Sequence, residues 1–236
     1  MKRKAPAFPD TVLPIDTAQL AAHGNAVTCV LAGRRGPVSV MRGNDKVTGE
    51  LLLVRPGVVH PVICSPGGAQ VLYLNGLAFP GNEALAVRLD GPLAAVAMDA
   101  VNGKPEAGRE LRDRLGEKDG YPADIADIAA ATMNDPMERL TQVQLMHRLN
   151  MERTRALRYF KAATGLTFRD FKRWAGLQFA ARQMIEGASI RTAAMDAGFA
   201  DTAHLSRTFR LLFGLTPSDA LAGLHSRYSV TEQGRD

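Results

Sequence analysis

Cysteine, tryptophan and histidine are scarce in this chain: two, one and five among 236 residues. Cys29 and Cys64 show no CxxC spacing and no nearby ligand set, which excludes the usual zinc-binding patterns and suits a reduced, cytoplasmic protein. Long hydrophobic runs are missing as well. Charges or glycines interrupt every apolar stretch before it reaches membrane-spanning length, so no membrane partner is expected. The opening MKRKAPAFPDTVLPID is basic but lacks the continuous apolar stretch of a signal peptide. An enzyme is not expected.

What remains is an ordinary globular composition, 46% hydrophobic and 22% charged, long enough for one large or two small domains. The net charge of +5 is unevenly placed. Residues 138–221 carry 13 Lys and Arg against 7 Asp and Glu, a net of +6, and the rest of the chain carries 16 against 17. The whole excess sits in one segment, which points to a polyanionic partner. A solvated helical face would look the same by charge alone, so a motif has to decide.

The texture of the chain changes along its length. Between about Val27 and Asp99 the apolar residues form short runs, VTCVLA, VSVM, LLLVR, VLYLN and LAAVAMD. Turn-forming GRRG, GNDK, SPGG and DG separate them, as in a small β sandwich or barrel. After Gly103 the pattern turns helical. Ala107, Leu111 and Leu115 make one stripe, and Ile125, Ile128, Ala129 and Thr132 make another. The spacing predicts an α+β chain: a β domain over 1–103, a helical linker over 104–136 and an all-α domain over 137–236.

The stretch AAMDAGFADTAHLSRTFRLLFGLTPSDAL, from Ala193, reads as a helix-turn-helix. Ser189 caps a short helix through Ala197, Ala194 is small where the helices touch, and Gly198 tolerates the positive φ of the turn. Phe199 plugs the pair. Asp201 caps a second helix whose Leu205, Phe209 and Leu212 or Phe213 face the core. Its other face carries Thr202, Ala203, Ser206 and Arg207. Gly214 ends it, and Thr216 with Pro217 starts another helix. A second copy lies upstream, with one helix over 142–149, a turn at Asn150 and a second helix over 153–164 that Gly165 ends. RYFKAATGLTF and RTFRLLFGLTP share the order Arg, one residue, Phe, a basic residue, three residues, Gly-Leu-Thr. Between the copies Thr167 caps a helix running to about Glu186. That helix spans roughly 28 Å, close to the roughly 34 Å between successive major-groove faces of B-DNA.

These residues, and GFADTAHLSRTFRLLFGLTP above all, resemble the DNA-binding domain of the AraC/XylS family of transcription regulators over about 137–221. Glu152 stands where the family usually has Ser, Ala156 replaces a usual Leu, Leu205 a frequent aromatic, and Ala220-Leu221 a Tyr-Arg pair. The resemblance implies that both second helices enter adjacent major grooves of double-stranded DNA. It implies base-facing roles for Arg153, Thr154, Leu157 and Arg158, and for Thr202, Ala203, Ser206 and Arg207. Lys161, Arg169, Arg173 and Arg210 suit phosphates better than bases.

LLLVRPGVVHPVICSPGGAQVLYLNG looks like the cupin-type barrel strand pair that precedes many such domains, with a turn at Pro56-Gly57 and a hairpin loop over Ser65–Gly68. A metal-dependent cupin enzyme would need several His and a carboxylate converging inside the barrel. His60 has no HxH partner and His23 is distant in sequence, so His60 reads as a turn or core residue, and no metal or cofactor is expected. Cys29 and Cys64 read as buried strand residues. The expected function is sequence-specific transcription regulation, as an activator working with RNA polymerase, with a small-molecule effector or a partner on the barrel. The alternative is a cupin-type enzyme or a purely structural barrel fused to a DNA-binding module. The two linker stripes, weighed evenly between packing on their own barrel and pairing with a second chain, lean toward a homodimer by the resemblance.

Overall fold

The computed structural model describes residues 10–116, 121–138 and 140–222. They form two compact units, one from Asp10–Gly116 with the described residues from Phe209 onward, the other from residues 121–208.

The first unit is built on two antiparallel sheets. One has five strands, β1 (Thr11–Ile15), β8 (Ala69–Tyr73), β3 (Cys29–Gly33), β6 (Leu51–Val54) and β9 (Ala86–Arg88), in that order. The other orders β2 (Gln19–Gly24), β7 (Val59–Cys64), β4 (Val38–Arg42) and β5 (Asp45–Gly49). Helices α1 (Gly91–Val101) and α2 (Pro105–Arg114) follow. Runs such as CVLA and LLLV are continuous rather than alternating because the five-stranded sheet is covered on both faces. Val30, Ala32, Leu51, Leu53 and Leu72 pack with Ala97, Val101, Ala107 and Leu111 of the helices. Cys29, Leu31, Val54, Val71 and Tyr73 face inward, toward Leu20 and Val62 of the other sheet. Both cysteines are buried in strands, as expected.

Four expectations change here. LAAVAMD is the body of α1, not a strand: Pro92 sits in the helix's first turn, and Ala, Leu and Met favour helix over sheet. β1 and β2 precede Val27, where the pattern showed no strand; β1 keeps its alternating burial despite Pro14. The turn over Ser65–Gly68 joins β7 to β8, but these strands lie in different sheets, so the connection is a crossover and not a hairpin. A turn sequence marks a reversal of the chain without saying which sheet receives it. Finally, the linker stripes are not open to a partner. Ala107 and Leu111 are buried against α1 and the sheet, with Leu115 partly buried beside them. Ile125 and Ile128 lie in the core of the helical unit. Arg112, on the next position of α2, is buried too. Its Nε donates to Asp10 Oδ2 at 3.0 Å and its Nη2 to the Asn75 carbonyl at 2.9 Å, tying α2 to the loop after β8.

The second unit comprises α3 (Ala123–Asn134), a 3-10 turn (Pro136–Glu138), α4 (Gln142–Leu149), α5 (Arg153–Thr164), α6 (Phe168–Ile185), α7 (Ile190–Asp196) and α8 (Thr202–Phe213), whose last turn is counted with the β unit. Its core joins Ile125, Ile128 and Met133 of α3 to Leu145 and Leu149 of α4, Ala156 and Phe160 of α5, and Phe168 and Phe171 of α6. Phe160 meets Phe168 and Phe171 edge-on, each with ring centroids 5.2 Å apart, a favoured arrangement of aromatic quadrupoles. The mid-helix Gly176 is required by a close approach. A Cβ there would stand 2.9 Å from the Ala197 carbonyl oxygen at the end of α7.

Candidate nucleic-acid interface

Both helix-turn-helix copies form, and their turns use the same chemistry with different residues. At the end of α4, Asn150 N–H donates to the His147 carbonyl and Met151 N–H to the Met146 carbonyl, with Asn150 at φ 49. At the end of α7, Gly198 donates to Met195 and Phe199 to Ala194, with Gly198 at φ 75. Each is a Schellman motif, in which a left-handed residue lets the helix close on itself and the chain depart at an angle. Ala194, Phe199, Leu205 and Phe209 are buried where the second copy was expected to have its core.

The starts of the helices are less alike. Thr141 and Gln144 form a reciprocal capping box on α4, and Ser189 caps α7 through the Thr192 N–H at 3.0 Å. α8 is held by Asp201, whose Oδ1 accepts from His204 N–H at 2.6 Å. α5 begins at Glu152, which makes no side-chain cap. The Ser-to-Glu departure noted in the sequence therefore leaves the first-turn N–H groups of α5 without that partner.

On α5 the side chains of Arg153, Thr154 and Arg158 are exposed and Leu157 is half-buried; on α8 Thr202, Ala203 and Arg207 are exposed and Ser206 is half-buried. Arg153, Thr154, Leu157, Arg158, Lys161 and Arg169 line one concavity together with Gln142, Thr167 and Phe168. The structure thus gathers six of the expected residues of the first copy around one groove. Gln142 was not foreseen. Its Oε1 accepts from Arg153 Nε at 2.8 Å, and the only signal was a long polar side chain at the first position of the preceding helix.

The positive segment is less free than its count suggested. Arg173 is half-buried and within 3.4 Å of Asp170. Lys172 donates to the Leu140 carbonyl at 3.0 Å and lies over the Phe168 ring; burial lowers its pKa. Arg182 reaches the Met133 carbonyl, and Arg148 pairs with Glu138. Arg158, Lys161, Arg169, Arg207 and Arg210 stay exposed on the surface.

Inside the β unit lies a polar group that spacing in sequence concealed. His23 and His60, treated above as remote, are paired across β2 and β7 with ring centroids 4.9 Å apart. Each Nδ1 lies 2.8 Å from a backbone carbonyl, of Ala21 and Val58 respectively. A carbonyl only accepts, so both rings carry a proton on Nδ1, and the Asn25 side chain hydrogen-bonds His23 as well. With Asn25, Cys29 and Tyr73 they line an interior space of about 10 Å³, room for about one water. Among the described residues no group of three or more His, Cys, Asp or Glu could hold a metal ion.

Residues 145–223 match the family model described as a helix-turn-helix domain. It is an AraC-type helix-turn-helix domain. The AraC-type domain makes the chain a DNA-binding protein of the transcription-regulator class. No curated protein matches the sequence significantly. Among solved structures, an apo variant of ToxT from Vibrio cholerae is similar over 94% of this chain and 100% of its own, at 13% identity and a TM-score of 0.62. Wild-type ToxT bound to an unsaturated fatty acid is similar over 94% of this chain and 97% of its own, at 14% identity and a TM-score of 0.59. ToxT bound to a methylnaphthalenyl butenoic acid covers 92% and 98%, at 14% and 0.60. At these identities the likeness is one of fold: a β domain followed by an AraC-type helical domain. No helix among the described residues is long and apolar enough to cross a membrane.

Proposed function

We propose that the chain is a sequence-specific transcription regulator that reads two successive major grooves with α5 and α8. The observation that carries this reading is the doubled motif: two helix-turn-helix copies flank the 18-residue α6, each with exposed Arg and Thr side chains on its second helix. Arg153, Thr154, Leu157 and Arg158 read one half of the site; Thr202, Ala203, Ser206 and Arg207 read the other. Guanidinium groups suit guanine, hydroxyls donate or accept, and Leu and Ala suit a thymine methyl. Lys161, Arg169 and Arg210 neutralise phosphates, with Arg173 contributing after release from Asp170.

Ligand-bound ToxT supports an effector role for the β unit, and a carboxylic acid is the chemical class to try first. The space beside His23 and His60 is too small for such a molecule, so an effector enters there only if the sheets part. RNA polymerase and a second copy of the chain complete the proposal as partners of a cytoplasmic regulator without enzymatic activity. The second copy pairs through a surface other than the buried stripes.

Selection of the full-length chain on random duplexes tests the reading. An enriched bipartite motif is expected, with affinity falling steeply as salt rises because phosphate neutralisation releases counterions. Arg207→Ala should lose on the order of 1–3 kcal/mol of discrimination at one base position, whereas Lys161→Ala should weaken all sequences alike. An absent motif with salt-independent binding sinks the proposal. Sedimentation with and without duplex, and thermal stabilisation by fatty acids, test the pairing and the effector.

A further inference from the structure

We infer that Gln142 is a positioning residue that holds Arg153 for base reading, an inference that rests on the DNA-reading role of α5. Arginine at the first position of a helix is a long, mobile side chain with no favourable interaction with the helix's positive end. Here it is not left free. Gln142, at the first position of α4, accepts from Arg153 Nε at 2.8 Å. Gln142 is itself placed on a helix whose start is fixed by the Thr141–Gln144 capping box.

Engaging Nε has a specific consequence. A guanidinium carries five donors in a rigid plane. With Nε tied back, the plane is oriented and the two Nη groups remain as the outward pair, the geometry needed for two parallel bonds to guanine O6 and N7. The neutral amide orients the cation without cancelling its charge, as a carboxylate would. The second copy has no such pair at the matching places: α7 starts with Ile190 and α8 with Thr202. The two halves of the DNA site therefore differ in design, with a braced arginine at the start of one reader helix and an arginine further along the other.

The test compares base preferences selected by the full-length chain and its variants. Arg153→Ala defines the position read by Arg153, where a bidentate contact discriminates roughly 5- to 150-fold. Gln142→Ala is expected to lower the guanine preference at that position alone, by roughly 2- to 12-fold, the cost of ordering one freed side chain. In the Arg153→Ala background the same substitution should change nothing. Gln142→Glu, which can still accept from Nε, should keep the preference while lowering overall affinity. Unchanged preference in Gln142→Ala overturns the inference, and so does an equal loss at all positions or a loss that persists without Arg153. If the unsubstituted chain selects no motif, the DNA-reading role of α5 falls first, and the two failures are told apart.

Discussion

The two helix-turn-helix copies solve one problem with different residues. Both turns are Schellman motifs, but the first puts Asn150 and the second Gly198 in the left-handed position. The first copy has a doubly capped leading helix and an uncapped reader; the second has a singly capped leading helix and a reader held by Asp201. α5 packs Ala156 and Phe160 into a core with Phe168 and Phe171, whereas α7 depends on the close approach that Gly176 permits. A repeated fold thus need not imply repeated sources of order. The first copy relies on packing and on Gln142, the second on backbone proximity and a cap.

The sharpest way to break this contrast is at Gly176. Gly176→Ala gains helix propensity but drives its Cβ to 2.9 Å from the Ala197 carbonyl, so overpacking should win and cost about 1–3 kcal/mol. The damage should fall on α7 and α8. Native-state hydrogen exchange should show α7 amides opening while α4 and α5 stay protected; equal loss in both copies would falsify the asymmetry. A smaller effect probes the caps. Asp201→Ala should lower stability by about 1 kcal/mol, while Glu152→Ser should raise it by about 0.5–1 kcal/mol by supplying the missing acceptor. Thermal unfolding of the two variants should therefore move in opposite directions, and movement in the same direction would mean that α5 is capped by other means.

What could be read from the sequence was what short-range chemistry determines. The limits of α4 and α5 agree with those read from the sequence around Asn150 and Gly165, because left-handed residues act within one turn. The turns at Gly198 and Gly214 likewise follow from neighbouring residues. Long-range pairing escaped. β1 finds its partner at β8, some sixty residues away, and nothing in its own composition announces the match. α1 was mistaken for a strand because a short run of Ala, Val and Met has no distinctive period, and only its packing on a sheet settles the choice. The juxtaposition of His23 with His60 depends on a strand register. Of the candidate interface, the exposed face of each reader helix was visible in its spacing, while the Gln142 brace required the angle between two helices.

The histidine pair also sets a lower limit on the pH this protein tolerates. Burial holds the His23 pKa down to about 4, with the neighbouring His60 lowering it further, and burial lowers that of His60 as well. In the unfolded chain both rings take up a proton near pH 6.5. Above that value folded and unfolded forms are equally neutral and stability is fully present. As pH falls from 6.5 toward 4 the unfolded form binds protons that the folded form refuses, and His23 alone should withdraw on the order of 3 kcal/mol across that window. Urea titrations of the chain at pH 7.5 and pH 5 should show the loss, and His23→Gln, which keeps a donor for the Ala21 carbonyl, should flatten it. The β unit would then lose stability in mildly acidic surroundings for a reason written in two rings 37 residues apart.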